Sequence, residues 1–92
     1  MRMERVRVGL DRGVHARVAT QLRDHAVQFN SSIFLRTHRS ASAASVFDVL
    51  ALGIAHGDEV TVLADGSDEG AALAAMVEFL SADPHPGMQS AD

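Results

Sequence analysis

Apolar and polar residues alternate along the first part of the chain with two different periods. Over residues 4–10 the apolar positions recur every second residue, with arginines between them, which is typical of a half-buried strand. Over residues 16–28 the apolar positions lie three or four apart and share one helical face. Alternation returns over residues 32–36. The pattern therefore predicts a strand, a helix and a second strand.

The second half of the chain continues to interleave strands with helices. Residues 38–44 are small and polar and fit a short edge strand, whereas residues 45–52 fit a short helix that Gly53 ends. Alternation over residues 60–64 predicts another strand. A final helix carries its apolar stripe between residues 73 and 80. This order predicts one sheet with its helices packed on one face, an open-faced sandwich.

The length of the chain leaves room for one small domain. Of its 92 residues, 47% are hydrophobic and 22% are charged, which is ordinary for a globular protein. Residues 83–92 include two prolines and a glycine and predict a flexible tail, so we expect a single domain over residues 1–82. No apolar run approaches the roughly 20 residues of a membrane helix, and the N-terminal residues lack the apolar core of a signal peptide. We expect a cytoplasmic protein that does not insert into membranes.

Residue types that the sequence lacks exclude several kinds of chemistry. With no cysteine, disulfides, thiolate nucleophiles and thiolate zinc sites are excluded, and with no lysine, Schiff-base chemistry is excluded too. A net charge of −4, together with the absence of Trp and Tyr, argues against nucleic-acid binding. The remaining candidates for a metal site are histidines without a ligand spacing, which we interpret as surface or turn residues: His25, His38, His56 and His85.

The segment Gly13-Val14-His15-Ala16-Arg17 places a histidine between a turn and the first predicted helix. His15 falls at the helix start, and Arg17 follows in the first turn. Such a turn has unpaired N–H groups and a partial positive charge, which favour an anion. A phosphoryl group on the imidazole would meet the backbone N–H groups of Ala16 and Arg17 and the Arg17 guanidinium. The same spacing also fits a helix-capping histidine beside a surface arginine, so two interpretations stay open here.

Three blocks of the chain resemble one known family. Residues 13–20, GVHARVAT, are similar to the active-site signature of HPr, the histidine phosphocarrier of the phosphoenolpyruvate–sugar phosphotransferase system. Residues 45–53 resemble its serine-led short helix, which ends in Leu-Gly, and residues 59–69 resemble its last strand and the following turn. The three blocks keep the spacing of the family, and the resemblance covers residues 3–81.

This resemblance implies both a fold and a function. The family fold is an α+β open-faced sandwich of four antiparallel strands with three helices on one face. His15 would accept a phosphoryl group from enzyme I on its Nδ1 atom and pass it to a sugar-specific IIA protein, while Arg17 helps to hold it. Val46, Phe47 and Leu50 would form an apolar docking patch for these partners. The chain would be a stoichiometric carrier rather than a turnover enzyme, would need no metal or organic cofactor, and would work as a monomer.

Two positions carry a second interpretation. Position 18 is Val where the family has Pro, which pre-sets the first helical turn, so the rate of phosphotransfer is open to change. Ser45 matches a serine that a dedicated kinase phosphorylates in some members, but it also fits a capping box with Asp48. Asp48 would repel a phosphate there, and Ala44 stands where those members often have lysine. We therefore favour capping over regulatory phosphorylation.

Other functions are compatible with the same fold. One alternative is a regulatory module that binds proteins through the docking patch, with weak or no phosphotransfer because of Val18. Alternatively the chain would be a carrier for a nitrogen-related or dihydroxyacetone branch. The presence of both His15 and Arg17 favours the sugar phosphocarrier. Arg12, Arg17 and Arg23 are either a positive rim around His15 for acidic partner faces or simply solvated side chains.

Overall fold

One open antiparallel sheet with its helices on one side forms the protein. The structure is a computed structural model, and it describes residues 1–82. In chain order the elements are β1 (Arg2–Arg7), α1 (Ala16–Ala26), β2 (Ser31–Arg36), β3 (Ser40–Ser42), α2 (Val46–Ala51), β4 (Glu59–Gly66) and α3 (Glu69–Ser81). The four strands of this part of the chain lie in the order β1-β4-β2-β3, and every neighbouring pair is antiparallel. The predicted α+β open-faced sandwich is confirmed.

Alternation along the strands decides which side chains enter the core. In β4 every second residue from 60 to 64 is buried, and the residues between them are half-buried. In β2, Ile33 and Leu35 are buried, whereas Phe34 between them is exposed on the open face. Burial of each large apolar side chain contributes roughly 1.5–3 kcal/mol. The largest fully buried side chains come from strands, helices and one loop: Leu22, Leu35, Met76, Leu80, Val8, Val49, Val60 and Val62.

The first strand ends earlier than its sequence pattern predicts. Alternation continues to Leu10, but the ladder with β4 stops at Arg7. The Val8 N–H instead donates to the Asp58 carbonyl at 2.8 Å, so the chain leaves the sheet and follows a loop. The prediction of a strand over residues 4–10 is therefore wrong at its C-terminal end, because Val8 stays buried in the core and Leu10 half-buried although their backbone has left the ladder.

The hairpin between β2 and β3 closes without glycine. β3 spans only Ser40–Ser42, shorter than the predicted 38–44, and pairs antiparallel with β2. Between the two strands the Thr37 N–H donates to the Arg39 carbonyl at 3.0 Å, which forms a tight turn. No residue other than glycine has positive φ in the described part of the chain, so the turn is made from ordinary backbone conformations.

The helix ends differ from the sequence pattern in small ways. α1 ends at Ala26, earlier than predicted, and α2 spans Val46–Ala51 with Leu52 as its C-cap. Gly53 follows with φ of 65°, which is the left-handed stop that the sequence predicts. Ser45 is the N-cap of α2, but its side chain makes no capping hydrogen bond. The predicted capping box therefore does not form, although the helix starts where it was expected.

The predicted flexible tail, residues 83–92, lies outside the described residues, as does His85. The division into a domain over residues 1–82 and a tail therefore stays a prediction. None of the helices within residues 1–82 combines the length and the apolar character that crossing a membrane requires.

Candidate functional site

The candidate site begins at the N-terminus of α1. His15 is the N-cap residue of this helix, with an extended backbone (φ −92°, ψ −177°). Its carbonyl accepts the Ala19 N–H at 2.8 Å, so the backbone of His15 already takes part in the helix. Its side chain is exposed and makes no capping hydrogen bond. The backbone of His15 is thus held by the helix, while its imidazole makes no capping hydrogen bond to it.

The first turn of α1 has donors without acceptors. The Ala19 N–H is the first to find an acceptor at the start of the helix. The three preceding N–H groups, those of Ala16, Arg17 and Val18, have none in the described part of the chain. No acidic side chain lies in this turn. Free N–H groups and the helix dipole make this end of α1 favourable for an anion.

An open depression of about 530 Å³ lies beside this turn. It brings His15 together with two arginines, Arg12 and Arg17. The third arginine of the hypothesised rim, Arg23, does not line it and instead pairs with Asp24, with 2.9 Å between Nη2 and Oδ1. The depression therefore holds two guanidinium groups, together with one carboxylate, that of Asp11. The residues lining the depression are Leu10, Asp11, Arg12, Gly13, His15, Arg17 and Val18.

The loop that leads to His15 is pressed against the segment that follows α2. A Cβ at Gly13 would lie 2.4 Å from the Ile54 carbonyl oxygen, and the φ of Gly13 is +66°. The Val14 N–H donates to the same carbonyl at 3.0 Å, and both Val14 and Ile54 are buried. Only glycine fits at position 13, because any side chain would meet both an unfavourable backbone conformation and a carbonyl group.

Comparison with models of known protein families assigns the sequence to one of them. The family model for the PTS HPr component phosphorylation site matches residues 3–82. The chain belongs to the HPr family. This confirms the family that the three sequence blocks resemble, and it makes the chain a member of the HPr phosphocarriers.

Solved structures of HPr proteins share the fold over most of their length. The phosphocarrier protein HPr from Bacillus anthracis is 30% identical, with a TM-score of 0.83 over 86% of this chain and 95% of that one. HPr-C-His from Thermoanaerobacter tengcongensis is 28% identical, with a TM-score of 0.82 over 87% of this chain and 91% of that one. The catabolite repression protein Crh from Bacillus subtilis, a domain-swapped dimer, is 31% identical, with a TM-score of 0.73 over 90% of this chain and 97% of that one.

The expected docking patch is exposed at one residue and half-buried at the other two. Phe47 is 84% exposed, more than any other large hydrophobic side chain of the described residues. Val46 and Leu50 are half-buried and pack against the core. α2 contacts α1, but none of the three residues lines the depression at His15. The structure thus presents an exposed aromatic ring on a helix beside α1, and the docking role of the three residues stays a prediction.

Ser45 is held by its backbone rather than by its hydroxyl group. Its N–H donates to the Ser42 carbonyl and its carbonyl accepts the Val49 N–H, both at 3.0 Å. Asp48 lies in the same first turn of α2 and would repel a phosphate on the Ser45 hydroxyl. These contacts explain Ser45 as a helix start, and its regulatory phosphorylation stays a hypothesis.

Sequence reasoning predicts the turn before His15 and the place of Arg12 beside it, but it misses the contacts that hold this loop. Alternation assigns Leu10 to the first strand and Asp11 to a turn, yet both line the depression. His56 was expected only as a turn residue, but its Nδ1 lies 3.0 Å from the Leu10 carbonyl oxygen. The two are 46 positions apart, and no periodicity links residues at that distance. Gly13 was the one local signal that the loop packs closely.

The described residues hold no group of three or more His, Cys, Asp or Glu side chains that is placed to bind a metal ion. The expectation that the chain works without a metal or organic cofactor stays a prediction. What the site offers is one exposed imidazole, a helix start with free N–H groups, and two arginines.

Proposed function

We propose that this protein carries a phosphoryl group on His15, which it receives from enzyme I and passes to sugar-specific IIA proteins. The observation that supports the proposal is the geometry at the start of α1. An exposed imidazole without a capping hydrogen bond stands beside N–H groups that lack acceptors, and Arg17 lines the same depression. A helix capped by His15 for structural reasons alone would need neither the free imidazole nor the neighbouring arginines.

The transfer itself requires little chemistry from the protein beyond positioning. The Nδ1 lone pair of His15 attacks the phosphorus on enzyme I, and the new N–P bond forms as the bond from phosphorus to its donor breaks. The phosphoryl oxygens then accept hydrogen bonds from the N–H groups of Ala16 and Arg17 and from the Arg17 guanidinium. Passing the group to a IIA protein is the same exchange in reverse. Positioning and charge stabilisation supply most of the catalysis in reactions of this kind.

The partners would dock on α2 and on the rim of the depression. A contiguous apolar patch marks an interaction surface, and Phe47, which is 84% exposed, lies on α2 with the half-buried Val46 and Leu50. Arg12 and Arg17 add positive charge beside His15, which favours acidic partner faces. We expect the working form to be a monomer, because His15 must face two partners in turn. Crh shows that a relative of the same fold forms a dimer.

The second candidate is a regulatory module that binds proteins through α2 and transfers phosphate weakly or not at all. The exposure of Phe47 favours it, since an apolar ring on the surface serves docking whether or not His15 reacts. Val18 bears on the choice between the phosphocarrier and the regulatory module as well. Its N–H is free at the helix start, where the proline of the family would have no donor.

Phosphorylation by phosphoenolpyruvate and cognate enzyme I, measured by intact mass, tests the proposal. We expect the gain of one phosphoryl group that is lost in acid, as a phosphohistidine should be, and that is absent from His15→Ala. His38→Ala is the matched control, because His38 is also exposed but lies on the β2–β3 turn. No phosphorylation by an active enzyme I would overturn the carrier and leave the regulatory module.

A further inference from the structure

The turn after α2 holds both ends of the loop that carries His15. At one end the Val8 N–H donates to the Asp58 carbonyl, and the Gly57 N–H donates back to the Val8 carbonyl, both at 2.8 Å. At the other end the Val14 N–H donates to the Ile54 carbonyl at 3.0 Å. Between them the Gly9 N–H donates to the Leu80 carbonyl at 2.9 Å, so these bonds fix the entrance and the exit of the loop and leave its middle, residues 10–12, to be held by other contacts.

His56 makes the one side-chain hydrogen bond to the middle of this loop within the described residues. Its Nδ1 lies 3.0 Å from the Leu10 carbonyl oxygen, which also accepts the Gly13 N–H at 3.0 Å. A carbonyl oxygen only accepts hydrogen bonds, so the Nδ1 atom of His56 must carry the hydrogen. The Leu10–Gly13 turn is therefore closed by one backbone bond and one imidazole bond to the same oxygen.

We propose that His56 is a positioning residue for the phosphoryl site, acting through the Leu10 carbonyl. The turn that this carbonyl closes carries Asp11 and Arg12, and both residues line the depression with His15. His56 itself does not line the depression. It therefore fixes where the Arg12 guanidinium stands relative to an incoming phosphoryl group, without touching that group. The inference rests on the proposed phosphocarrier function for its effect on rate, but not for its effect on structure.

The structural part of the proposal is tested on the isolated protein, without enzyme I. Long-range ¹H–¹⁵N NMR on the ring nitrogens, at a pH where His56 is neutral, should show the Nδ1–H tautomer. Imidazole side chains in water favour the Nε2–H tautomer, so the bond to Leu10 predicts a departure from ordinary behaviour. His38 on the β2–β3 turn provides a second neutral ring in the same spectrum. An Nε2–H tautomer at His56 would overturn the proposal, whatever the phosphotransfer activity.

Two substitutions separate a lost hydrogen bond from a lost side chain. In His56→Asn the amide nitrogen stands close to the position of Nδ1 and can still donate to Leu10, whereas His56→Leu has no donor. Amide hydrogen exchange at Gly13 should become faster in His56→Leu and stay near the wild-type rate in His56→Asn. Equal exchange in both variants and the wild type would contradict the role of the bond.

The functional part is tested by the initial rate of phosphorylation by enzyme I. A hydrogen bond of this kind is worth roughly a 2- to 10-fold effect, so His56→Leu should be slower by about that factor while His56→Asn restores most of the rate. His38→Leu, which removes a comparable local contact to Thr37 Oγ1, should leave the rate unchanged. Equal slowing by His56→Leu and His56→Asn would reject the donor role. If the wild type itself is not phosphorylated, the proposed function fails while the tautomer and the exchange rates still decide the role of His56.

Discussion

The N-termini of α1 and α3 begin with the same kind of backbone N–H groups but carry side chains of opposite kinds. At α3 the N-cap is Asp68, whose carboxylate accepts the Asn30 N–H at 2.8 Å and the Ser31 hydroxyl at 2.6 Å. Glu69 in its first turn accepts the Gly66 N–H at 3.2 Å. At α1 no acid lies in the first turn, and the N-cap is His15. Neither Asp68 nor His15 caps its own helix through its side chain, so the contrast is one of charge: the start of α3 is filled by two carboxylates, whereas the first turn of α1 carries none.

The filled helix start shows what an anion does in this fold. Hydrogen bonds from the Ser31 hydroxyl and the Asn30 N–H lower the pKa of Asp68. The Gly66 N–H, with further help from the N-terminal amino group, lowers the pKa of Glu69. Both carboxylates therefore tie α3 to the start of β2 and to the end of β4. A helix start that holds its own anion cannot accept another, because like charges repel.

The free helix start of α1 is suited to an anion that comes and goes. Its N–H groups have no protein acceptor in the described residues, and Arg12 and Arg17 supply the counter-charge beside it. A carrier must hold its phosphoryl group firmly enough to form and weakly enough to release. The first turn of α1 holds no acid that would repel the group, and the one carboxylate that lines the depression, that of Asp11, lies on the preceding loop. The comparison thus predicts that changes at α1 affect phosphotransfer and that changes at α3 affect stability.

The largest expected effect is the loss of the counter-charge at α1. Arg17→Ala should slow phosphorylation of His15 by about 10- to 100-fold, since a hydrogen bond to a charged group is worth roughly 1.5–3 kcal/mol. Initial rates with limiting enzyme I measure it. Arg23→Ala is the matched control, because Arg23 lies on the same helix but pairs with Asp24 away from the depression. Equal losses in the two variants would show that the arginines act through overall charge rather than through the phosphoryl group.

The next effect concerns the loop that sets up the free helix start. Gly13→Ala should lower the free energy of unfolding by about 2 kcal/mol or more, because alanine at positive φ is strained and its Cβ would overlap the Ile54 carbonyl. Gly53→Ala has the same left-handed φ but open space around it, so it should cost only about 1 kcal/mol. Urea denaturation of both variants gives the difference. Equal costs would mean that the loop moves away from Ile54 easily.

How far the sequence predicts this comparison depends on the distance along the chain. His15, Arg17 and the helix they start are neighbours in sequence, so spacing and resemblance are enough to find them. Alternation predicts β2 and β4 for the same reason, since it is a property of consecutive residues. By contrast, the contact of His56 with Leu10 joins parts of the chain that only the folded sheet brings together.

The same argument explains where the predicted elements end incorrectly. The alternation that begins in β1 continues to Leu10, because Val8 is buried as deeply by a loop as it would be by a strand. The apolar pattern reflects only which side chains are buried, whereas backbone hydrogen bonding to a neighbouring strand decides whether the segment is a strand. At Ser45 a suitable sequence for a capping box is present, but the hydroxyl makes no capping bond. Local patterns thus predict which residues are inside better than they predict which hydrogen bonds form.

A direct way to break the comparison is to give α1 a resident acid. Ala16→Glu places a carboxylate in its first turn, as Glu69 does in α3. The helix dipole should stabilise this acid by about 0.3–1 kcal/mol, whereas its repulsion of the phosphoryl group should slow phosphorylation roughly 5- to 10-fold. Ala16→Gln is the uncharged control and should change neither the free energy of unfolding nor the rate of phosphorylation by much. An unchanged rate in Ala16→Glu would show that the phosphoryl group does not use the N–H groups of this turn.

The smallest expected effect is the acid sensitivity of the filled helix start. The folded protein lowers the pKa of Asp68, so the unfolded chain binds a proton there more readily. The contribution of Asp68 to stability is therefore complete above its ordinary pKa of about 4. It is lost as the pH falls through the lower pKa of the folded state. Unfolding measured by urea at pH 7, 5, 4 and 3 should therefore show a constant stability down to about pH 5 and a decline below about pH 4.

Two variants assign this decline to Asp68. Asp68→Asn should be less stable at pH 7 and should lose less stability in acid. Ser31→Ala, which removes the first donor to Asp68, should show a milder form of both changes. Phosphorylation of His15 at pH 7 should be unaffected in these variants. A decline in acid as steep in Asp68→Asn as in the wild type would assign the acid sensitivity to other carboxylates and remove Asp68 from the comparison.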